Sequence, residues 1–80
     1  MRLIDQPIQV TLRDRRPVTF RWRGATYRIA RVVDRWSYMG RWWAGEGEWK
    51  FWRVVTAGGG EFELMYDVRQ QVWRLYRIYD

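Results

Sequence analysis

An all-β domain is predicted, and three features of the chain predict it. Apolar residues recur at every second position, as in Ile8, Val10 and Leu12 and again in Phe62, Leu64 and Tyr66, which marks strands with one buried face. Short runs of turn formers separate these segments, among them Arg23-Gly24-Ala25 and Ala57-Gly58-Gly59-Gly60. No ten-residue stretch carries apolar side chains at helical spacing. The 80 residues fit a single domain, 1–80, of about six antiparallel strands forming a curled sheet or small barrel with a long aromatic loop.

Residues 1–6 precede the first alternating run and are expected to form a flexible lead. Ile8, Val10 and Leu12 then alternate with Gln9 and Thr11, and Arg13-Asp14-Arg15-Arg16-Pro17 turns the chain. Val18, Phe20 and Trp22 alternate with Thr19, Arg21 and Arg23, and the turn at Arg23–Ala25 joins this strand to the next as a hairpin. The third run, Thr26 to Trp36, changes parity midway. Tyr27 and Ile29 share one face, whereas Val32, Asp34 and Trp36 share the other. A bulge or bend at Ala30-Arg31 would return Val32 to the core side, and such bends curl small sheets into barrels.

Residues 37–48 break the pattern, with three glycines, Tyr38 and the adjacent Trp42-Trp43. They read as a long ordered loop with one helical turn near Ser37–Trp43, and loops of this length in compact domains are often functional. Trp49 to Thr56 is apolar on both faces, with Trp49, Phe51 and Val55 opposite Trp52 and Val54, so it is central. Glu61–Asp67 and Val72–Tyr79 follow across the turns at Ala57–Gly60 and Val68–Gln71 and complete a meander.

Composition excludes much familiar chemistry. With no Cys and no His, the chain has no disulfide, no thiolate or imidazole metal site, and no Cys or His nucleophile or base. No catalytic residue, cofactor or metal is expected. Fifteen aromatics, seven of them Trp, can each bury about 150–250 Å² and so supply a core to a short chain. Phe20, Trp22, Tyr27, Phe62, Leu64 and Trp73 suffice to fill a small barrel. Asp5 interrupts the only apolar start, and no apolar run approaches the ~18 residues of a membrane span, so a cytoplasmic location without membrane contact is expected.

The charge is uneven. Of 15 cations, 14 are Arg and one is Lys50; residues 1–45 hold ten cations against three anions, and the rest of the chain five against six. A concentrated positive half points to a polyanion, either nucleic acid or an acidic protein. The plain alternative is arginine-rich codon usage with the charges serving solubility.

Three constellations bear on chemistry. The first interleaves Arg with aromatics. Arg21 and Arg23 share the polar face of the second strand, while Arg28, Arg31 and Arg35 form the outward set of the third. Like charges side by side on a sheet repel, so this face calls for an anion. Trp36, Trp42 and Trp43 would set flat rings beside it, as in small β domains that hold single strands. The structural alternative makes Trp22, Tyr27, Trp36 and Trp49 core residues with arginines lying over them. The second constellation, Glu46 and Glu48 between glycines, reads as a solvated turn whose acids pair with Arg41 or Arg53, rather than as an acid–base pair. The third, Ala57–Gly60, reads as a hairpin connection rather than an anion nest. Ser37 and Lys50 have nothing to align them as a catalytic pair.

The pattern Pro17-Val18-x-Phe20-x-Trp22-Arg23-Gly24-x-x-Tyr27-Arg28, then Trp36, Trp42-Trp43, Trp52-Arg53-Val54, Phe62-Glu63-Leu64 and the closing Trp73-x-Leu75-x-x-Ile78-Tyr79-Asp80 resembles a small bacterial domain of unknown function. That domain is found alone and at the C-terminal end of catalytically degenerate relatives of Y-family DNA polymerases. The resemblance implies no reaction; it implies an accessory module in damage-induced DNA synthesis, with a DNA-repair protein among its partners. The expectation is a non-enzymatic module that binds nucleic acid, single strands in particular, through Arg21, Arg23, Arg28, Arg31, Arg35, Trp42 and Trp43. A protein-docking or homodimerising module that uses the Trp-rich loop is the alternative.

Overall fold

In a computed structural model describing residues 1–79, the strands are β1 (Arg2–Arg13), β2 (Arg16–Trp22), β3 (Ala25–Met39), β4 (Glu48–Thr56), β5 (Glu61–Asp67) and β6 (Val72–Tyr79). They pair antiparallel in chain order and β1 returns to β6, so the sheet closes as a six-stranded barrel. Closure leaves only short stretches of strand edge unpaired.

β1 does two jobs along its length. Gln9–Arg13 pair with β2, while Arg2–Ile8 pair with β6. Residues 2–6, expected as a flexible lead, are thus strand. Arg2 opposes Ile78, Leu3 opposes Arg77, and Ile4 packs on the core. The alternating pattern is hidden there because the register shifts between Leu3 and Gln6. Asp5 sits at that shift with φ 51°. Arg74 fixes it, its Nε donating to the Asp5 carboxylate at 2.6 Å and a terminal N–H to the Asp5 carbonyl at 2.9 Å.

The interior is apolar and aromatic. Phe20, Val54, Phe62, Leu64, Leu75 and Ile78 form its buried centre, with Trp22, Tyr27, Trp52 and Trp73 packed around them. Phe20 stacks on Tyr27 at 4.9 Å and meets Phe62 edge-on at 5.3 Å, geometries that suit the ring quadrupoles. The residues expected to fill the barrel do so.

β3 differs most from expectation. It is longer than the run Thr26–Trp36, and it takes two register shifts, at Ile29/Arg31 as expected and again at Val32/Asp34. Directly opposed residues in an antiparallel ladder share a face. The second shift therefore puts Arg35, opposite Trp52, on the inner side and Trp36, opposite Phe51, on the outer side. Trp36 is not core. It stacks at 5.3 Å and 5° on the outside of Phe51, which Tyr76 covers edge-on at 5.6 Å.

That outer surface of β4–β6 holds a second packed layer. Phe51 and Met65 are buried in it, and so is Glu63, at 0% exposure. Glu63 points outward, as its alternation requires, but longer side chains cover it. Arg77 donates to its carboxylate at 3.3 Å and the Tyr79 hydroxyl donates to the other oxygen. Arg53 lies over the Tyr79 ring at 4.1 Å and pairs with Glu61. Burial, reinforced by the hydrogen bond to Glu63 and by its charge, raises the Tyr79 phenol above its ordinary pKa. Among the described residues, no helix is long and apolar enough to cross a membrane.

Tyr79→Phe keeps the ring but leaves one oxygen of a buried carboxylate without its donor. Unfolding in urea should show a loss of about 1–3 kcal/mol. Tyr76→Phe, on the same strand and without a hydrogen bond to Glu63, should change little.

Candidate functional site

The candidate site is built where β3 leaves β2. β2 and β3 pair only from Thr19↔Arg28 to Trp22↔Ala25, and from Ile29 onward β3 has β4 as its only strand partner among the described residues. The seam opens toward the β1–β2 turn. An open cleft of about 400 Å³ lies there, with Arg15 from the turn and Arg16 from the start of β2 facing Arg35 from β3 and Lys50 and Trp52 from β4. Asp14 and Glu48 also reach it. None of the four cations has an ion-pair partner among the described residues. The acids that form ion pairs, Glu46, Glu61, Asp5 and Glu63, engage Arg41, Arg53, Arg74 and Arg77 instead. Trp52 closes the inner end of the cleft against Trp73, with its indole N–H buried and unpaired among the described residues.

The turn that presents Arg15 is strained. Asp14 and Arg15 have φ of 52° and 65°, the left-handed pair of a two-residue hairpin turn, where Gly is favoured at the second place. The neighbouring hairpin obeys the rule, with Arg23 at 53° and Gly24 at 77°. An arginine held left-handed costs about 1–2 kcal/mol, so Arg15 occupies its place against the backbone's preference.

The loop between β3 and β4 stands beyond the same end. Its single 3₁₀ turn spans Trp42–Ala44, later than the expected turn at Ser37–Trp43, because residues 37–39 continue β3. Trp42 and Trp43 are 71% and 70% exposed and meet edge to face at 5.9 Å. The neck beneath them is closed. Gly40 N–H donates to the Gly47 carbonyl at 2.9 Å, Arg41 N–H to the Glu46 carboxylate at 2.7 Å, and Glu46 N–H to the Arg41 carbonyl at 3.1 Å. Glu46 therefore pairs with Arg41, one of the two partners expected for it. A methyl group at Gly40 would lie 2.7 Å from Glu46 Cβ, so only glycine fits the neck. Below the loop, Tyr38 stacks on Trp49 at 5.5 Å.

The seven residues singled out from the sequence do not form one face. Arg35 belongs to the cleft, and the second shift in β3 is what turned it away from the outward set. Trp42 and Trp43 crown the same end. Arg21 and Arg28 stand on the outer face of β2 and β3, and Arg31, opposite Val55, continues that face. Arg23 lies at the far hairpin with its guanidinium 4.7 Å from the Trp22 ring centre. Met39 lies eleven positions beyond Arg28 on β3, about 36 Å along the strand. Arg15, Arg16 and Lys50 were missed. The signal for the first two was present as the density of arginine in the run Arg13–Arg16, which reads equally well as a solvated turn. Ala57–Gly60 is a hairpin turn, with Gly59 N–H on the Thr56 carbonyl and Thr56 N–H on the Gly60 carbonyl. Among the described residues there is no cluster of acids able to hold a metal ion.

Over residues 1–80 the chain matches the family described as Domain of unknown function (DUF6504), and it belongs to that family. No curated protein and no solved structure matches it.

Gly40→Ala should push Glu46 aside and open the neck. Hydrogen exchange at the Arg41 and Glu46 amides should then rise at least tenfold while the amides of β4–β6 keep their protection. Equal exchange in both proteins would show that the hydrogen bonds at the neck do not hold the loop.

Proposed function

We propose that this member of DUF6504 is a non-enzymatic module that binds single-stranded nucleic acid at the β3–β4 end of the barrel. One observation carries the reading. Four cations without ion-pair partners among the described residues, Arg15, Arg16, Arg35 and Lys50, line a cleft at the foot of a loop that holds two tryptophans in solvent. Positive grooves joined to exposed rings are the general means of holding a single strand, with phosphates along the charge and bases on the rings. Arginine adds planar, two-pronged contacts to phosphate. The strain at Arg15 fits a residue kept for its charge. The resemblance to the C-terminal end of degenerate Y-family polymerase relatives supports a role for this binding in DNA damage tolerance, in the cytoplasm, with the domain serving a repair assembly.

A second reading has its own support. Tyr38, Met39, Trp42 and Trp43, between 54% and 71% exposed, form an apolar margin at this end, and Trp, Tyr and Arg dominate protein interface hot spots. It requires a partner, or a second copy, whose binding changes little with salt.

Fluorescence anisotropy with a labelled single strand separates the two. With three or four phosphates engaged, log K should fall against log salt with a slope of roughly −2 to −3. Trp42→Ala with Trp43→Ala should cost about 1–3 kcal/mol per base that stacks. No binding at low salt and micromolar protein would end the nucleic-acid reading. Arg15→Gly tests the strained turn. It should raise stability in urea by roughly 0.5–1 kcal/mol while weakening binding and making the salt slope shallower by about 0.7.

A further inference from the structure

The outward arginines that the structure separates from the cleft remain to be accounted for. On the outer face of β1, β2 and the first part of β3, the register brings together Gln9 and Thr11, Arg21, and Thr26 and Arg28, with Arg31 next after the bulge. All six side chains are exposed. These positions hold no carboxylate and no aromatic ring, and none of the three arginines has an ion-pair partner among the described residues. Arg21 opposes Thr26 and so stands diagonal to Arg28, about 7–8 Å away, where two like charges repel in the absence of a counter-ion.

We propose that this face is a second nucleic-acid surface, which takes the sugar–phosphate backbone of a paired segment while the β3–β4 end holds the unpaired strand. The proposal rests on the nucleic-acid reading above and adds the class of ligand, a junction between paired and unpaired nucleic acid. The two surfaces differ in chemistry in the way the two parts of a junction differ. Arg, Thr and Gln are side chains that contact phosphate and sugar and fix a duplex in place without reading its sequence. The outer face offers no ring for a base to stack on, and paired bases need none. The other end offers Trp42 and Trp43, which only unpaired bases can reach. The separation bounds a length. Arg28 and Met39 lie at most about 36 Å apart along a strand that bends between them, roughly ten nucleotides at 3.4 Å each, so a ligand of that length is long enough to touch both surfaces.

The test uses three labelled probes in anisotropy titrations at low salt: a single strand of about 12 nucleotides, a blunt duplex of about 12 base pairs, and that duplex carrying that single strand as a tail. The tailed duplex is expected to bind at least about tenfold tighter than either part, because joining the parts makes the second contact intramolecular. Arg21→Gln with Arg28→Gln should remove duplex binding and the advantage of the tailed probe while leaving the single strand unchanged. Trp42→Ala with Trp43→Ala should weaken the single strand and the tailed probe and spare the duplex. A tailed probe no tighter than its better half overturns the junction proposal and leaves single-strand binding standing. So does an arginine double variant that weakens the single strand as much as the duplex. Absence of binding to all three probes overturns the nucleic-acid reading as well.

Discussion

Everything distinctive about this barrel follows from one demand on β3, which must pair with two neighbours in succession. Its first four residues close the hairpin with β2, and the remainder is committed to β4. A strand that shares its hydrogen bonds in this way has to bend, and β3 bends through two irregularities. The bend opens the seam that becomes the cleft. It carries the chain far enough to project the tryptophan loop, and it sets Arg35 on the opposite side of the sheet from Arg28. The division of the arginines between two surfaces is thus a by-product of barrel closure.

The allocation of acids reinforces that division. Asp5, Glu46, Glu61 and Glu63 each hold an arginine, and three of those arginines belong to β4 and β6. Glu63 is the extreme case, fully buried on an outer face by the arginine and tyrosine it binds. A buried carboxylate persists only where donors surround it, so these cations are committed to structure. Among the described residues, the cations of the first three strands and of the cleft form no such ion pair, and the positive field of the domain gathers around them.

Much of the fold was legible. β5 could be read to its ends because clean alternation meets turns at both sides, and the turn at Val68–Gln71 marked where β6 begins. The faces of β6 could not be read throughout, because a register shift returns Ile78 to the core beside Leu75. The hairpin at Arg23–Gly24 was legible from its residues, and the bulge at Ala30-Arg31 from the change of parity. The second irregularity was not. Val32-Val33 places two β-branched apolar residues side by side, and such a pair carries no parity. From that point the reading of the faces slipped, sending Trp36 inward and Arg35 outward. The start of β1 was hidden for a related reason, since Asp5 interrupts alternation at a shift that only the contact with β6 explains. The exposure of the tryptophan pair could not be read from the sequence, because adjacent rings on a glycine-rich loop can equally pack or project; the structure shows them in solvent. The cleft was illegible because its residues come from a turn, a bent strand and a central strand that meet only when the barrel closes.

The closed neck of the tryptophan loop bears on the thermodynamics of contact. Gly40, Arg41, Glu46 and Gly47 are already tied together, so the entropy of ordering the loop is lost during folding rather than on encounter with a partner. A floppy loop would lose that entropy on binding, at a cost to affinity. Here the rings stand ready, and docking should proceed as a rigid-body event. Its heat-capacity change would then reflect the apolar ring area covered, with no added signature of a segment that folds as it binds.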